Sequence, residues 1–326
     1  MNRPKSFWQR YAWVGVVVLC LAVYVVLQSS WLLDTLKGFG YEPSVNVAEI
    51  EVDLELTQQG RRIFAATRPT VEGSREFNEH CDSHDVEVSL LGCYTDGRIY
   101  IYEIELAQLA SANKVTAAHE LLHAAWERMG KSERRAVSEL LEQLYQEQRE
   151  WFDDELEVYD GDERLEEIYA RAGTKLKDLP AELETHYAKY FQNRLKIVQF
   201  YQDYEAPFLA LRSEMEDLAE QINLIAAEIE AERVKYLQDL EELEAQINRF
   251  NACANRVGCF TDEAEFARQR GTLLVGQVSL EQRREELNEK ITVNNQRIEN
   301  YRVRQEELGE LSSAMNSNIE PVETLK

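Results

Sequence analysis

Basic residues are in short supply: 36 Lys and Arg stand against 60 Asp and Glu, for a formal net charge of −24. Such a chain repels nucleic-acid phosphates, and its charge argues against an anionic lipid surface as its main ligand. Solubility and reduced self-association are the plain consequences of that charge. Histidine is scarce, with five in 326 residues, so two at a fixed short spacing are hard to obtain by chance. Cysteine also numbers five. Cys20 lies within an apolar run, whereas Cys81 with Cys93 and Cys253 with Cys259 form two sequence-local pairs in polar surroundings. Two such pairs suggest short-loop disulfides and an oxidising compartment. His80-Cys81-x-x-His84 offers a competing metal-ligand set, but with no recognised spacing.

One stretch carries chemistry in its spacing alone: Val115-Thr-Ala-Ala-His119-Glu120-Leu-Leu-His123-Ala-Ala-Trp126. On a helix, residues four apart leave the same face about one turn from each other, so both imidazoles can reach one metal ion. Val115, Leu121, Leu122, Ala125 and Trp126, with no Gly or Pro before Gly130, predict a largely buried helix. Glu120 can reach a metal-bound water without ligating the metal. This is the His-Glu-x-x-His pattern of zincins, in which two His hold Zn²⁺ and the Glu is the general base. In a chain of this composition a random match arises roughly once in a hundred such sequences. The competing reading is two core histidines satisfied by hydrogen bonds.

The fold class expected is α+β and mostly helical: a zincin-like domain with a small β-hairpin, an N-terminal transmembrane helix and a C-terminal antiparallel coiled-coil hairpin. Residues 1–33 form a basic N-terminus followed by an apolar run from Tyr11, long enough to cross a hydrocarbon core of roughly 30 Å. The leading positive charge predicts a cytoplasmic N-terminus, and Trp8, Tyr11, Trp13 and Trp31 sit near the expected interfaces. No small-x-small cleavage site follows cleanly, which favours an uncleaved, single-pass anchor in the cell membrane with the remaining chain extracytoplasmic. Residues 34–56 read as a tether broken by Gly38, Gly40 and Pro43, with a short alternating stretch from Val45 to Val52.

The catalytic domain is expected over residues 57–204. Thr57 caps a helix that Pro69 stops. Val86–Leu91 and Arg98–Tyr102 read as strands about a Thr95-Asp96-Gly97 turn, a hairpin whose edge could pair with an extended peptide. Helices follow from Gly130 toward Phe152, from Glu163 to Ala172 with Gly173 as a left-handed C-cap, and from Ala181 to about Tyr204. In residues 205–315, Leu211, Met215, Leu218, Ile222, Ile225 and Ile229 repeat at steps of four and three. A stutter near Arg233 precedes Tyr236, Leu240, Leu243, Ile247 and Phe250. The returning arm carries Leu280, Leu287, Ile291, Ile298, Tyr301 and Leu308, with polar gaps at Arg284, Asn294 and Gln305 and a weak stretch between Gly271 and Gly276. Two arms around a Cys-closed loop predict an antiparallel hairpin about 60 Å long. Residues 316–326 are a tail.

A catalytic zinc site usually takes three protein ligands. Glu163, Glu166, Glu167, Glu184 and His186 are the downstream candidates. Glu184 shares a helix side with Leu183, Tyr187, Phe191 and Leu195, where a carboxylate needs a partner, whereas Glu167 falls on a polar side. His119-Glu120-Leu-Leu-His123, followed some forty residues later by Glu166-Glu-x-x-Ala170, resembles the gluzincin metallopeptidases. In that group an Asn-Glu-x-x-Ser or related helix supplies the third ligand. The resemblance covers roughly residues 80–204 and implies Glu167 as that ligand, although Glu166 and Ala170 depart from the pattern. Glu184 is the alternative, otherwise a group holding a His Nδ1 proton. The resemblance also implies a Tyr or His at the oxyanion, for which Tyr169, His186 and Tyr187 are candidates.

The function expected is a membrane-anchored, extracytoplasmic zinc peptidase acting as an endopeptidase on a protein or peptide. Glu120 takes a proton from a zinc-acidified water and delivers it to the leaving amine. The alternative is a non-catalytic envelope scaffold working through its coiled coil, with a structural or vestigial metal site. A weaker variant aims the hydrolase at peptidoglycan cross-links. The coiled coil serves docking to a protein partner or self-association.

Overall fold

The computed structural model describes residues 7–27, 30–81, 91–156 and 161–318. Its elements are α1 (Phe7–Leu27), α2 (Ser30–Gly38), α3 (Val45–Asp53), α4 (Gln58–Ala66), β1 (Thr70–Glu72), α5 (Ser74–His80), β2 (Gly92–Thr95), β3 (Arg98–Tyr102), α6 (Ser111–Glu127), α7 (Lys131–Glu147), α8 (Arg149–Leu156), α9 (Gly161–Lys175), α10 (Ala181–Tyr187), α11 (Arg194–Ala254) and α12 (Glu263–Ala314). Among the described residues the chain is mostly helical with one three-stranded sheet, and it divides into residues 1–207 with 312–326 and a second unit, residues 208–311.

Helix α6 is the axis of the first unit. Ala117, Ala118, Leu121, Leu122, Ala124 and Ala125 are all buried, so the helix is covered on most sides, and its alanines let neighbours approach closely. One flank meets β2 and β3, another meets α9. The sheet order is β1-β3-β2, with β1 parallel and β2 antiparallel to β3. Asp96 and Gly97 join β2 to β3 with φ of 50° and 74°, the left-handed pair that a two-residue hairpin of right-handed twist demands. Ile99 and Ile101 of β3 point into the core. Thr57 caps α4, accepting from the Gly60 N–H at 3.1 Å.

Several expectations change. The stretch from Val45 to Val52 is helix α3, capped by Ser44, and no tether. Val47, Ile50 and Leu54 follow helical spacing and are buried at 0%, 5% and 0% exposure, while Val45 and Val52 face solvent. In so short a run, period two and period 3.6 share most of their apolar positions, and the capping serine was the deciding signal. The globular unit therefore starts well before Thr57. The strand before the turn is Gly92–Thr95; the expected strand over 86–91 falls almost wholly outside the described residues, as does His84. The parallel strand β1 has no counterpart in the sequence reading. The expected helix over 181–204 is broken between α10 and α11.

Both expected disulfides are present, Cys81–Cys93 and Cys253–Cys259, which removes Cys81 as a metal ligand. In the second unit, α11 and α12 run antiparallel. Arg304 meets Glu214 at 2.8 Å, Arg297 meets Gln221 at 3.3 Å, Lys290 meets Glu232 and Arg283 meets Asp239. These four basic residues recur every seventh position on α12, while their α11 partners are spaced seven, eleven and seven apart. The stutter thus falls between Gln221 and Glu232. Ile298, expected in the seam, is 47% exposed and the neighbouring Arg297 takes the inward place. Helix α12 runs unbroken through Gly271 and Gly276; a Cβ on Gly276 would lie 3.0 Å from Leu243 Cδ1, so this glycine admits a close approach.

Helix α1 spans the apolar N-terminal run. Side chains are described for Trp13–Tyr24 of it, and among the described residues no helix is long and apolar enough to cross a membrane.

Candidate metal centre

His119 and His123 project from one face of α6 toward α9, their Nε2 atoms 3.1 Å apart. Glu167 comes from α9. One of its carboxylate oxygens lies 3.3 Å from His123 Nε2 and the other 3.6 Å from His119 Nε2. The three side chains are 19%, 13% and 12% exposed, close to dry but not fully enclosed. Donors held about 2.0–2.1 Å from a tetrahedral ion are separated by about 3.3–3.4 Å. The His119–His123 and His123–Glu167 distances lie near that value, and the three side chains together could hold a metal ion.

Two features seat Glu167. Gly173 lies within α9 and is no C-cap: a Cβ there would come 2.5 Å from Leu122 Cδ1 and 2.7 Å from Tyr187 Cε1. Only glycine lets α9 close on α6 at this crossing. Beyond it, the buried Arg194 guanidinium donates to the carbonyls of Leu176 at 2.6 Å and Lys177 at 2.9 Å, at the C-terminal end of α9. Arg194 also takes both oxygens of Glu184, one at 3.0 Å. Glu184, the alternative third ligand, is thus committed to an ion pair away from the histidines.

Glu166 carries a role the sequence reading left unassigned. Its carboxylate accepts from His123 Nδ1 at 2.9 Å, which fixes the ring and turns Nε2 toward the shared centre. The signal was adjacency: a second carboxylate one residue from a ligand, on the helix that faces the imidazole. Arg171, one turn along α9, donates to Glu167 Oε2 at 3.1 Å.

The protonation pattern follows from these contacts. Burial pushes His123 down, but its bonds to Glu166 and Glu167 outweigh that and raise it to about 10. Burial drives His119 down to about 4 against the pull of Glu167. Burial would raise Glu167, yet the two histidines hold it well below the usual carboxylate range. Without a metal, His123 is an imidazolium donating to Glu166 and toward His119, and the proton occupies the space that a cation would take.

Glu120 is 6% exposed and points toward the edge strand β2. A Cβ on Gly92 would lie 3.1 Å from its Cγ and Oε1 and 2.4 Å from Thr116 Cγ2, so glycine is required where β2 crosses α6. Burial raises the Glu120 carboxyl to about 7, moderated by His123 and by the Tyr94 main-chain N–H, which donates to it. That is a value suited to taking and returning a proton near neutrality. In a two-residue hairpin Thr95–Arg98 and Cys93–Tyr100 are the hydrogen-bonded pairs, so the main-chain groups of Gly92 and Tyr94 face away from β3. The Cys81–Cys93 bridge ties this edge to the end of α5.

The oxyanion candidates lie elsewhere. Tyr169 and Tyr187 are fully buried; Tyr169 Oη pairs with His186 Nε2 at 3.0 Å, and Tyr187 Oη donates to the Tyr169 carbonyl at 2.7 Å. They brace α9 against α10 from its inner side. Comparison of the chain with protein-family models, with curated proteins and with solved structures finds no match in any of the three.

Proposed function

We propose that the chain is a membrane-anchored, extracytoplasmic zinc peptidase of gluzincin-like construction. The observation that carries this reading is the convergence of His119, His123 and Glu167 at metal-ligand spacing, with the buried carboxylate of Glu120 between them and a strand edge. His119 and His123 would hold the ion through Nε2 and Glu167 through a carboxylate oxygen, with Glu166 aligning His123. A bound zinc ion would polarise a scissile carbonyl and acidify water. Glu120 accepts the water's proton and passes it to the departing amine. The outward main-chain groups of Gly92 and the Tyr94 carbonyl pair with an extended substrate, orienting its scissile carbonyl over the centre.

The anchor reading draws on the apolar run that begins at Tyr11 and on the basic residues Arg3, Lys5 and Arg10 before it. Disulfides in both units support an oxidising, extracytoplasmic setting. A non-catalytic scaffold is the second reading, favoured by the long salt-bridged hairpin. Chelator-sensitive cleavage of an unfolded protein substrate, restored by zinc and absent in Glu120→Gln, tests the first; stoichiometric zinc with no cleavage would leave the scaffold.

A further inference from the structure

Helix α2 is built inside out. Its inward side is Asp34 and Gly38: Asp34 is 5% exposed and accepts from Arg128 Nε at 2.9 Å, and a Cβ on Gly38 would lie 3.3 Å from Ala65 Cβ on α4. Its outward side is apolar, with Trp31 56%, Leu36 63% and Phe39 83% exposed. At 100° per residue, Trp31, Thr35, Leu32, Leu36 and Leu33 sweep an arc of about 200°, and Phe39 follows directly after the helix end. A helix bordering water shows the opposite pattern, charge outward and aliphatic residues inward. Exposed apolar surface this continuous marks a contact with something.

The neighbourhood says what it contacts. The described side chains of α1, Trp13–Tyr24, are exposed as well, with Leu19 at 64%, Leu21 at 58% and Tyr24 at 60%, so both helices carry exposed apolar surface. Beside α2 a groove of about 350 Å³ is lined by Trp31, Phe39, Gln58 and Arg62. The Arg62 guanidinium lies 5.9 Å from the Trp31 ring, and its Nε is buried with no hydrogen-bond partner among the described residues. An indole at the margin of an apolar arc, with a guanidinium beside it whose Nε has no partner among the described residues, matches the chemistry of the lipid interface: acyl chains on one side, phosphodiesters on the other.

We propose that α2 lies in the bilayer surface, its Trp31–Leu36 arc and Phe39 in the headgroup–acyl boundary and Arg62 on a lipid phosphate. The occupant is a zwitterionic phospholipid leaflet, since a chain of net charge −24 is opposed by an anionic one. The proposal rests on the reading of α1 as the anchor. It also fixes the substrate class of the proposed site: Asp34 holds Arg128, whose Nη1 donates to Tyr94 Oη at 3.0 Å, and the Tyr94 N–H donates to Glu120. The strand edge is thereby held by the membrane-seated helix, which suits peptide segments presented close to the bilayer.

The test uses the full chain reconstituted in phosphatidylcholine vesicles, with and without bromine on the acyl chains. Emission from position 39 is the difference between Trp31→Phe with Phe39→Trp and Trp31→Phe alone; emission from Trp13 in α1 is the loss caused by Trp13→Phe. The expected result is that position 39 is blue-shifted, loses most of its emission to bromolipid and little to aqueous acrylamide, and is less quenched by bromolipid once Arg62 is replaced by Gln. Quenching at Trp13 but not at position 39, with acrylamide reaching the latter, overturns the proposal and leaves the anchor standing. No bromolipid quenching at either position overturns both. Protection of position 39 from both quenchers, with a cross-linked dimer, overturns it in favour of a second copy as the occupant.

Discussion

A zinc ion and a proton compete for the same place between His119 and His123, and that competition has a size. In the metal-free site His123 is raised to about 10 by Glu166 and Glu167 despite its burial. At pH 7 its Nε2 must lose a proton before it can ligate, a penalty on the order of 4 kcal/mol, or a thousandfold in affinity, relative to a histidine free at that pH. Zinc affinity should rise about tenfold per pH unit from pH 6.5 to 8.5, with about one proton released per ion. Glu120, raised to about 7, adds a fraction of a proton near neutrality as the arriving cation favours its carboxylate. Competition with a fluorescent zinc chelator across this pH range gives the slope. Calorimetry in two buffers of different ionisation enthalpy gives the proton count. An affinity flat in pH, with no proton released, would refute the reasoning, because the ion would then not be taking the proton's place.

Other consequences follow from the same contacts. Glu120→Gln should lower peptide cleavage by about 10²–10⁴-fold while zinc content, measured by atomic absorption, stays stoichiometric. Glu166→Gln should weaken zinc binding about 10–100-fold by releasing His123 Nδ1, seen in the same chelator competition. Gly173→Ala should destabilise the first unit by about 1–3 kcal/mol through the clash with Leu122 and Tyr187, read by chemical denaturation, and weaken zinc binding as α9 is pushed outward. His186 and His119 are both lowered to about 4, chiefly by burial. The unfolded chain therefore takes up protons first, and stability should fall as pH drops from about 6.5 toward 4. The raised His123 has the opposite sign: in metal-free protein its contribution is complete below about 6.5 and is lost as pH rises toward 10. Thermal melts of the metal-free protein should accordingly be highest near the middle of this range.

What could be read from the sequence was whatever rests on local chemistry. The His119–His123 spacing, the Thr57 cap, the Asp96-Gly97 turn and the two short cysteine loops are each specified within a few residues, and each takes its expected form here. Long-range pairing was less legible. Glu184 looked like a ligand because it shares a helix side with apolar residues, but its partner is Arg194, beyond a helix break that spacing did not reveal. Gly173 looked like a cap because glycine ends helices; its reason is a side chain on α6. Tyr169, His186 and Tyr187 were chemically plausible around an oxyanion, yet they satisfy one another in the interior. On α12 the aliphatic residues drew the seam to Ile298, while the heptad of Arg283, Lys290, Arg297 and Arg304 follows three acidic partners and Gln221 on the other arm.

Zinc K-edge absorption on the full chain, with one equivalent of zinc added, tests the central claim most directly. The account predicts two imidazole nitrogens and carboxylate oxygen at about 2.0–2.2 Å, an additional light-atom ligand, and a changed first shell when Glu167 is replaced by Ala. A spectrum without histidine scattering, or one unaffected by loss of Glu167, would contradict it.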